Sequence, residues 1–400
     1  MRLLFAHDHR FYRGPGGELY TIGSFPSAVW DRYLRHFEKV TVLARDGGPL
    51  PAGTKLALAN HPKVDFLFAP DLGSVRQIVR PSRSVRQRFL EAVSAADAVI
   101  ARLPSEVGLM AAKTARRLGK PYAVEIVGCA WDGAMNHGSP IVRLYAPLFY
   151  QRTRRAVGAA PLTLYVTSDW LQVRYPNRGF SSFASNVEIV PLDEAGRSSR
   201  EARLRELAQG RRPRLGTIAS LTMKTKGVQT AIAAVGQLRR DGLDFSYAVL
   251  GPGDPADWRA LAEREGVADL VAFDGTREAG GGVRRWLDGI DIHLQPSFQE
   301  GLPRATIEAM SRGVACIGST CGGIPELLSP ERTHRPGDSA GLAGSIRRLA
   351  DDPALIAETS RIDLEAAQSY HADALRSRRD EVYSRLRAMA DGAAVAGGRA

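Results

Sequence analysis

Residues 297–313 read SFQEGLPRATIEAMSRG, and how this run folds decides the architecture of the chain. Two carboxylates, Glu300 and Glu308, stand at its centre. A turn through Gly301, Leu302 and Pro303 follows the first, and a helical pattern through Ile307 and Met310 carries the second. A helix rises about 1.5 Å per residue, so the two acids are at most roughly 12 Å apart. That is the reach across a diphosphate, from a sugar on one side to a ribose on the other. The helix start between them, from Arg304, offers free N–H groups and the positive end of the helix dipole. One carboxylate can then accept sugar hydroxyls and the other ribose hydroxyls, with phosphates on the turn amides. The competing reading makes Glu300 a helix cap and Glu308 a solvated side chain.

The flanks favour a ligand site. Ile290, Ile292 and Leu294 form an apolar run before it; Val314, Ala315, Cys316 and Ile317 form another after it, then Gly322-Gly323-Ile324-Pro325-Glu326. Strand, loop, helix, strand is the unit that places ligands at the carboxyl ends of a parallel sheet. The stretch resembles the donor-site signature of family 4 glycosyltransferases. The resemblance is strongest from Gly216 to Leu328 and extends more weakly over nearly the whole chain. It implies an α/β chain of the GT-B type: two Rossmann-like parallel-sheet domains facing a cleft, with a C-terminal helix crossing back to the N-terminal domain. It also implies a retaining transfer of sugar from a nucleotide-sugar.

The remaining pattern agrees with strand–helix alternation. Strands are expected at Leu3–Ala6, Val40–Leu43, Asp65–Phe68, Ala98–Ala101, Tyr122–Ile126, Leu162–Val166 and Val187–Val190, with helices at Leu19–His36, Glu106–Leu118 and Ile141–Val157. The second half repeats the alternation, with strands at Leu215–Ala219, Tyr247–Leu250, Val271–Phe273, Ile290–Leu294 and Val314–Ile317. The expected division is 1–192 for an acceptor-binding domain, 193–370 for a donor domain, 371–390 for the returning helix and 391–400 for a disordered, Gly/Ala-rich tail.

Further donor-site candidates follow the strands. Gly14, Gly16 and Gly17 come after the first, where glycine lets a ligand approach the backbone; a tight turn is the alternative. Lys224 and Lys226 follow Leu215–Ala219 and can neutralise a diphosphate leaving group. Lys226–Gly227 matches the family's Lys–Gly pair, whereas Ser220, Leu221 and Thr222 fill the place of its usual Arg. Gly251 and Gly253 match the glycine-rich turn beneath the nucleotide, and Asp274 and Gly275 the loop that meets the base. Gly322 and Gly323 read as support for the pocket floor.

The resemblance places a His at a strand end near the donor sugar, but Gly128 and Cys129 stand there. Acceptor-side candidates are therefore His7, Asp8 and His9 at the end of the first strand, and Trp131, Asp132 and His137 in a later loop. Imidazole and carboxylate are the groups that accept a hydroxyl proton. No carboxylate-rich metal site is visible and no cofactor is expected, with the donor a UDP or GDP sugar.

Four hundred residues, 44% hydrophobic and 24% charged, suit a two-domain globular protein. No apolar run reaches the ~18 residues of a membrane span. Cys129, Cys316 and Cys321 are odd in number and lack metal or redox spacing, which suits a reducing cytoplasm. The formal net charge is +11, and residues 1–190 hold 25 Lys and Arg against 14 Asp and Glu. It is densest at Arg76, Arg80, Arg83, Arg86 and Arg88, with Arg152, Arg154 and Arg155 later. The basic half suits an anionic membrane surface or a diphosphate-lipid. No nucleic-acid motif accompanies it. The expectation is a cytoplasmic glycosyltransferase, peripheral at the inner face of the plasma membrane, acting on a lipid-linked glycan in cell-surface polysaccharide synthesis. A soluble natural-product acceptor, an epimerase and a non-catalytic glycan-binding protein are the alternatives.

Overall fold

The computed structural model describes residues 1–51, 56–70, 81–187 and 189–397. The chain divides into two compact units. The first is Met1–Ala184 together with the chain from Arg376 on, and the second is Ser185–Leu375.

The first unit is built on a nine-stranded sheet. Its strands are β1 (Arg2–Arg13), β2 (Leu19–Thr21), β3 (Lys39–Pro49), β4 (Ala57–Leu58), β5 (Val64–Phe68), β6 (Ala98–Leu103), β7 (Tyr122–Ile126), β8 (Leu162–Tyr165) and β9 (Phe180–Phe183). The parallel body runs β5-β3-β1-β6-β7-β8-β9. Helices α1 (Arg83–Ser94), α2 (Glu106–Arg117), α3 (Ala130–Met135) and α4 (Pro140–Gly158) belong to this unit. Leu4, Val99, Val124 and Ile126 pack with Phe89, Val93, Val107 and Ala111 of α1 and α2 in one buried cluster. Continuous apolar strands of this kind belong to a sheet covered on both faces.

Three sequence expectations fail here for local reasons. β1 does not end near Ala6 but continues to Arg13, and the chain then doubles back as β2, antiparallel to it through Tyr12 and Tyr20. The helix expected over Leu19–His36 is replaced by β2, a 3-10 turn at Ser27–Trp30 and one helical turn at Asp31–Leu34. Gly23 and Phe25 take positive φ (+70° and +62°) and Pro26 follows, so no helix can run through this segment. The strand expected at Val187–Val190 is a single bridge from Ile189 to His371, while residue 188 lies outside the described residues. Arg76 and Arg80 also lie outside them.

The second unit carries β10 (Leu215–Ile218), β11 (Tyr247–Leu250), β12 (Val271–Phe273), β13 (Ile292–Gln295), β14 (Ala315–Ser319) and β15 (Thr333–His334). The sheet is wholly parallel, in the order β12-β11-β10-β13-β14-β15. Connections leave β10 in both directions, so the strand order reverses between β10 and β13. Helices α5 (Glu194–Ala208), α6 (Val228–Arg240), α7 (Ala256–Arg264), α8 (Gly281–Asp288), α9 (Arg304–Met310), α10 (Ser339–Ala350) and α11 (Pro353–Ala367) complete it. Asp291, just before β13, is 2% exposed and is gripped by Arg203 and Arg211, each through two hydrogen bonds of 2.9–3.1 Å. The charged pattern of α5 thus serves the base of the sheet.

The C-terminal helix α12 runs Ala372–Gly397, and from Arg376 it belongs to the first unit. Tyr383 on it donates to Glu125 Oε1 of β7 at 2.6 Å. The tail expected to be disordered from Asp391 is helical as far as Gly397; its alanines have the highest helix propensity of any residue.

Candidate active site

At the reversal between β10 and β13, two strand-end loops meet. The first runs from Ala219 to Gly227 and the second from Pro296 to Pro303. Phe298 N–H donates to Thr225 carbonyl at 2.8 Å. Gly227 has φ +74°, and a Cβ there would lie 1.8 Å from Pro296 carbonyl oxygen. Only glycine permits that approach. This docking sets Lys226, whose ammonium donates to Glu300 Oε1 at 2.7 Å. Glu300 is 8% exposed and Lys226 keeps 30% of its side-chain surface.

Glu300 Oε1 also accepts from Ser297 Oγ at 2.8 Å and Gln295 Nε2 at 3.0 Å. Three donors thus converge on one oxygen, and they fix the carboxylate's rotamer. The backbone is held as firmly. Gly323 N–H donates to Gly301 carbonyl at 2.7 Å, and a Cβ on Gly322 (φ +61°) would lie 2.4 Å from Glu300 carbonyl oxygen. Gln295, Ser297 and Thr306, which donates to Gln295 Oε1 at 3.4 Å, are site residues the motif reading passed over. The available signal was the polar Gln295 closing an apolar strand, with Ser297 two positions on.

Glu308 lies half-buried on α9, the helix that leaves this loop. Burial pushes its carboxyl above the ordinary range, and the charges of Arg304 and Arg284 partly offset that. Leu302 and Pro303 are buried and Arg304 is exposed, so the turn is an apolar footing with a cation at its outer edge. α9 is a seven-residue helix entered through Pro303, which has no N–H, so its dipole adds little to anion binding.

The neighbouring loops are stitched to the same edge. Gly251 N–H donates to Gly275 carbonyl at 2.7 Å, and a Cβ on Gly251 would lie 1.8 Å from Ala219 carbonyl oxygen. Gly253 takes φ +120° against Leu221. Lys224 is exposed, and its carbonyl accepts from Gln229 at 2.9 Å. Ser220 and Thr222, where the resemblance calls for an Arg, hydrogen-bond each other at 2.8 Å. Asp274 turns its carboxylate to Trp286 Nε1 at 2.6 Å and toward Arg214 at 3.7 Å, so that group is spent on packing α8.

The first-unit candidates separate into structural and open groups. Gly16 and Gly17 do not lie in a strand–helix loop but in the reverse turn between β1 and β2. Gly14 N–H goes to Glu18 carbonyl, Gly17 N–H to Gly14 carbonyl and Gly16 N–H to Glu18 Oε2, which leaves these amides engaged within the turn. Asp8 accepts from Arg45 and from the amides of Glu106 and Val107, and so caps α2. His9 bonds Thr21 Oγ1 at 2.6 Å, and burial and Arg102 push its pKa down to about 4. His7 is likewise lowered, by burial, Arg102, His9 and Arg45, and its buried Nδ1 has no partner among the described residues. Asp132 pairs with Arg174 at 3.4 Å; Trp131 and His137 are exposed on and after α3.

Solved structures and relatives place this architecture. A structure of HepE from Anabaena in complex with UDP-glucose matches with a TM-score of 0.64 and 16% identity over 96% of this chain and 100% of that one. Two parallel-sheet α/β units of this order define the GT-B fold. Residues 212–352, which hold Lys226, Glu300 and Glu308, match the family described as glycosyl transferases group 1. CapJ of Staphylococcus aureus is 29% identical over 87% of this chain and 86% of its own. The amylovoran biosynthesis glycosyltransferase AmsK of Erwinia amylovora is 33% identical over 39% of this chain and 41% of its own. The family match falls within the second unit, and the protein is a glycosyltransferase.

Proposed function

We propose that the protein is a retaining, family 4 type glycosyltransferase that moves a sugar from a nucleotide-diphosphate donor to a glycan hydroxyl in bacterial cell-surface polysaccharide synthesis. The observation that carries this reading is the Lys226–Glu300 pair at the carboxyl edge of the sheet where strand order reverses, the place at which open α/β sheets bind ligands. Glu300 Oε1 is occupied by three donors, so Oε2 faces the task of accepting sugar hydroxyls. Lys226 has further N–H donors beyond the one it gives Glu300, and these meet the departing diphosphate, with Lys224 and Arg304 at the solvent side. Glu308 accepts from the ribose, and the backbones of Gly251, Gly253, Asp274 and Gly275 line the nucleotide.

Charge builds on the diphosphate as the bond from the anomeric carbon to its oxygen stretches. The acceptor oxygen attacks from the same face, and its proton passes to the leaving phosphate oxygen. Lysine ammoniums and loop amides stabilise that charge, and held geometry supplies the rest of the acceleration. The reading needs no covalent nucleophile, metal or cofactor. The UDP-glucose bound by HepE and the polysaccharide role in the name of AmsK support the donor and the process. The acceptor is assigned to the first unit and to a lipid carrier, since the excess positive charge lies in that half; no helix among the described residues is long and apolar enough to cross a membrane.

The test is a thermal-shift screen of UDP-, GDP- and dTDP-sugars, followed by product analysis with the stabilising donor. A shift with one donor class and transfer to a glycan with retained anomeric configuration is the expected result. No shift with any donor, or release of an epimerised sugar without acceptor, would overturn it.

A further inference from the structure

A groove of about 970 Å³ opens on the first unit between α1, α2 and α4. Its floor is apolar, with Phe89, Leu109 and Met110 buried and Leu90, Leu118 and Leu148 exposed at its surface. Its rim is cationic. α1 contributes Arg83 and Arg86, α2 Lys113 and Arg116, and α4 Arg152 and Arg155, while no Asp or Glu lines it among the described residues. Arg152 is partly engaged by Glu106 at 2.8 Å; the other five are exposed.

α4 extends this surface beyond the groove. Ile141, Leu144 and Leu148 follow one another at helical spacing and are 65%, 84% and 43% exposed. The same helix carries Arg143, Arg152, Arg154 and Arg155 and no carboxylate. Three large aliphatic side chains standing in water on one stripe, beside a set of cations, mark an interaction surface.

We infer that the groove and the α4 stripe together dock an anionic phospholipid bilayer, with lipid phosphates on the arginine rim and acyl chains against Leu148, Leu144 and Ile141. Charge complementarity selects an anionic occupant, and the stripe selects among anions. A free phosphate gains nothing from exposed leucine, and a nucleic acid brings no aliphatic surface to it. Lipid supplies both chemistries at the spacing of headgroup and chain. The inference deepens the membrane part of the proposed function and does not depend on the donor chemistry of Lys226 and Glu300.

The test is flotation of the full chain with phosphatidylcholine vesicles, with and without phosphatidylglycerol. Wild type floats with the anionic vesicles and is released by salt. Arg83→Glu combined with Arg116→Glu lowers the partition at least about tenfold. Leu144→Ser lowers it at least about fivefold, through lost apolar burial. Both variants melt as wild type does, and Arg205→Glu, on the exposed side of α5 in the second unit, floats unchanged. Equal flotation with neutral vesicles, unaltered flotation of the groove variants, or capture by duplex DNA in place of vesicles would overturn the inference. Nucleotide-sugar thermal shifts on the same samples keep the two readings apart. Salt-sensitive flotation without any donor shift sinks only the donor assignment, and a donor shift without flotation sinks only this one.

Discussion

Lys226 Nζ lies 2.7 Å from Glu300 Oε1 although 74 positions separate them in the chain. Gly227 against Pro296 and Gly322 against Glu300 hold the two loops at that distance. The pair is therefore built by backbone packing and not by the side chains finding each other. Lys226→Ala and Glu300→Gln are each expected to lower kcat/KM at least about tenfold, roughly 1.4 kcal/mol. Because the two groups act in one unit, the double variant should lose less than the sum of the single losses. Steady-state kinetics on the three variants decides it, and unchanged kinetics in both single variants removes the site assignment.

Gly227→Ala tests the packing that sets the pair. Its cost combines a positive φ with a collision at Pro296, whereas Gly210 (φ +95°) has open space where its Cβ would lie. Both alanine variants carry a backbone cost of about 1–2 kcal/mol. Only Gly227→Ala should also depress kcat/KM, since only it displaces Lys226. Circular dichroism melts alongside kinetics separate the two effects, and equal kinetics in the two variants would count against the positioning role.

Glu308→Ala is expected to raise donor KM with a smaller effect on kcat. A ribose hydroxyl left without its acceptor costs about 1–3 kcal/mol. A donor analogue lacking both ribose hydroxyls should bind wild type and variant alike. Isothermal titration with the two donors provides the check.

Asp291 links stability to pH. Burial alone would raise its carboxyl, but the guanidiniums of Arg211 and Arg203 and the Arg214 N–H more than offset this and hold it below the ordinary range. The folded value lies below the unfolded one, near 3.9, so the contribution is complete above that pH and is lost as pH falls through the folded value. Asp291→Asn should cost about 3–5 kcal/mol at neutral pH by removing the buried counter-charge of Arg203 and Arg211, and should flatten the acid limb. Urea denaturation as a function of pH measures both; an acid limb of wild-type slope in the variant would refute the assignment.

Tyr383→Phe removes the bond by which the C-terminal helix holds Glu125, a buried carboxylate that also accepts from Arg102 at 2.5 Å and Tyr33 at 3.1 Å. A hydrogen bond to a charged group contributes about 1.5–3 kcal/mol, so the loss should appear as a lower melting temperature with donor KM unaltered. A fall in donor affinity instead would show that the helix acts on the second unit's site.

Much of the second unit was legible in the chain. The apolar runs of β10 to β14, punctuated by Lys226–Gly227, Gly251–Gly253, Gly275 and Gly322–Gly323, mark successive strand ends because parallel strands are buried on both faces and their exits need tight turns. The first unit was less legible. Gly14 to Gly17 read as a strand–helix loop, because a glycine cluster serves a reverse turn equally well, and the turn's partner strand β2 is only three residues long. Gln295 and Ser297 carried no motif of their own.

Local pattern by itself determined the alternation of strands and helices, the division of charge between the halves and the presence of two acids flanking a turn, since each depends on neighbours along the chain. Which groups meet was left to the tertiary structure. The reversal of strand order beside β10 brings Lys226 to Glu300, the cap on α2 engages Asp8, and the packing of α8 engages Asp274. Such choices depend on contacts between residues far apart in sequence, where close packing and the satisfaction of every buried polar group, and not periodicity, select the partner.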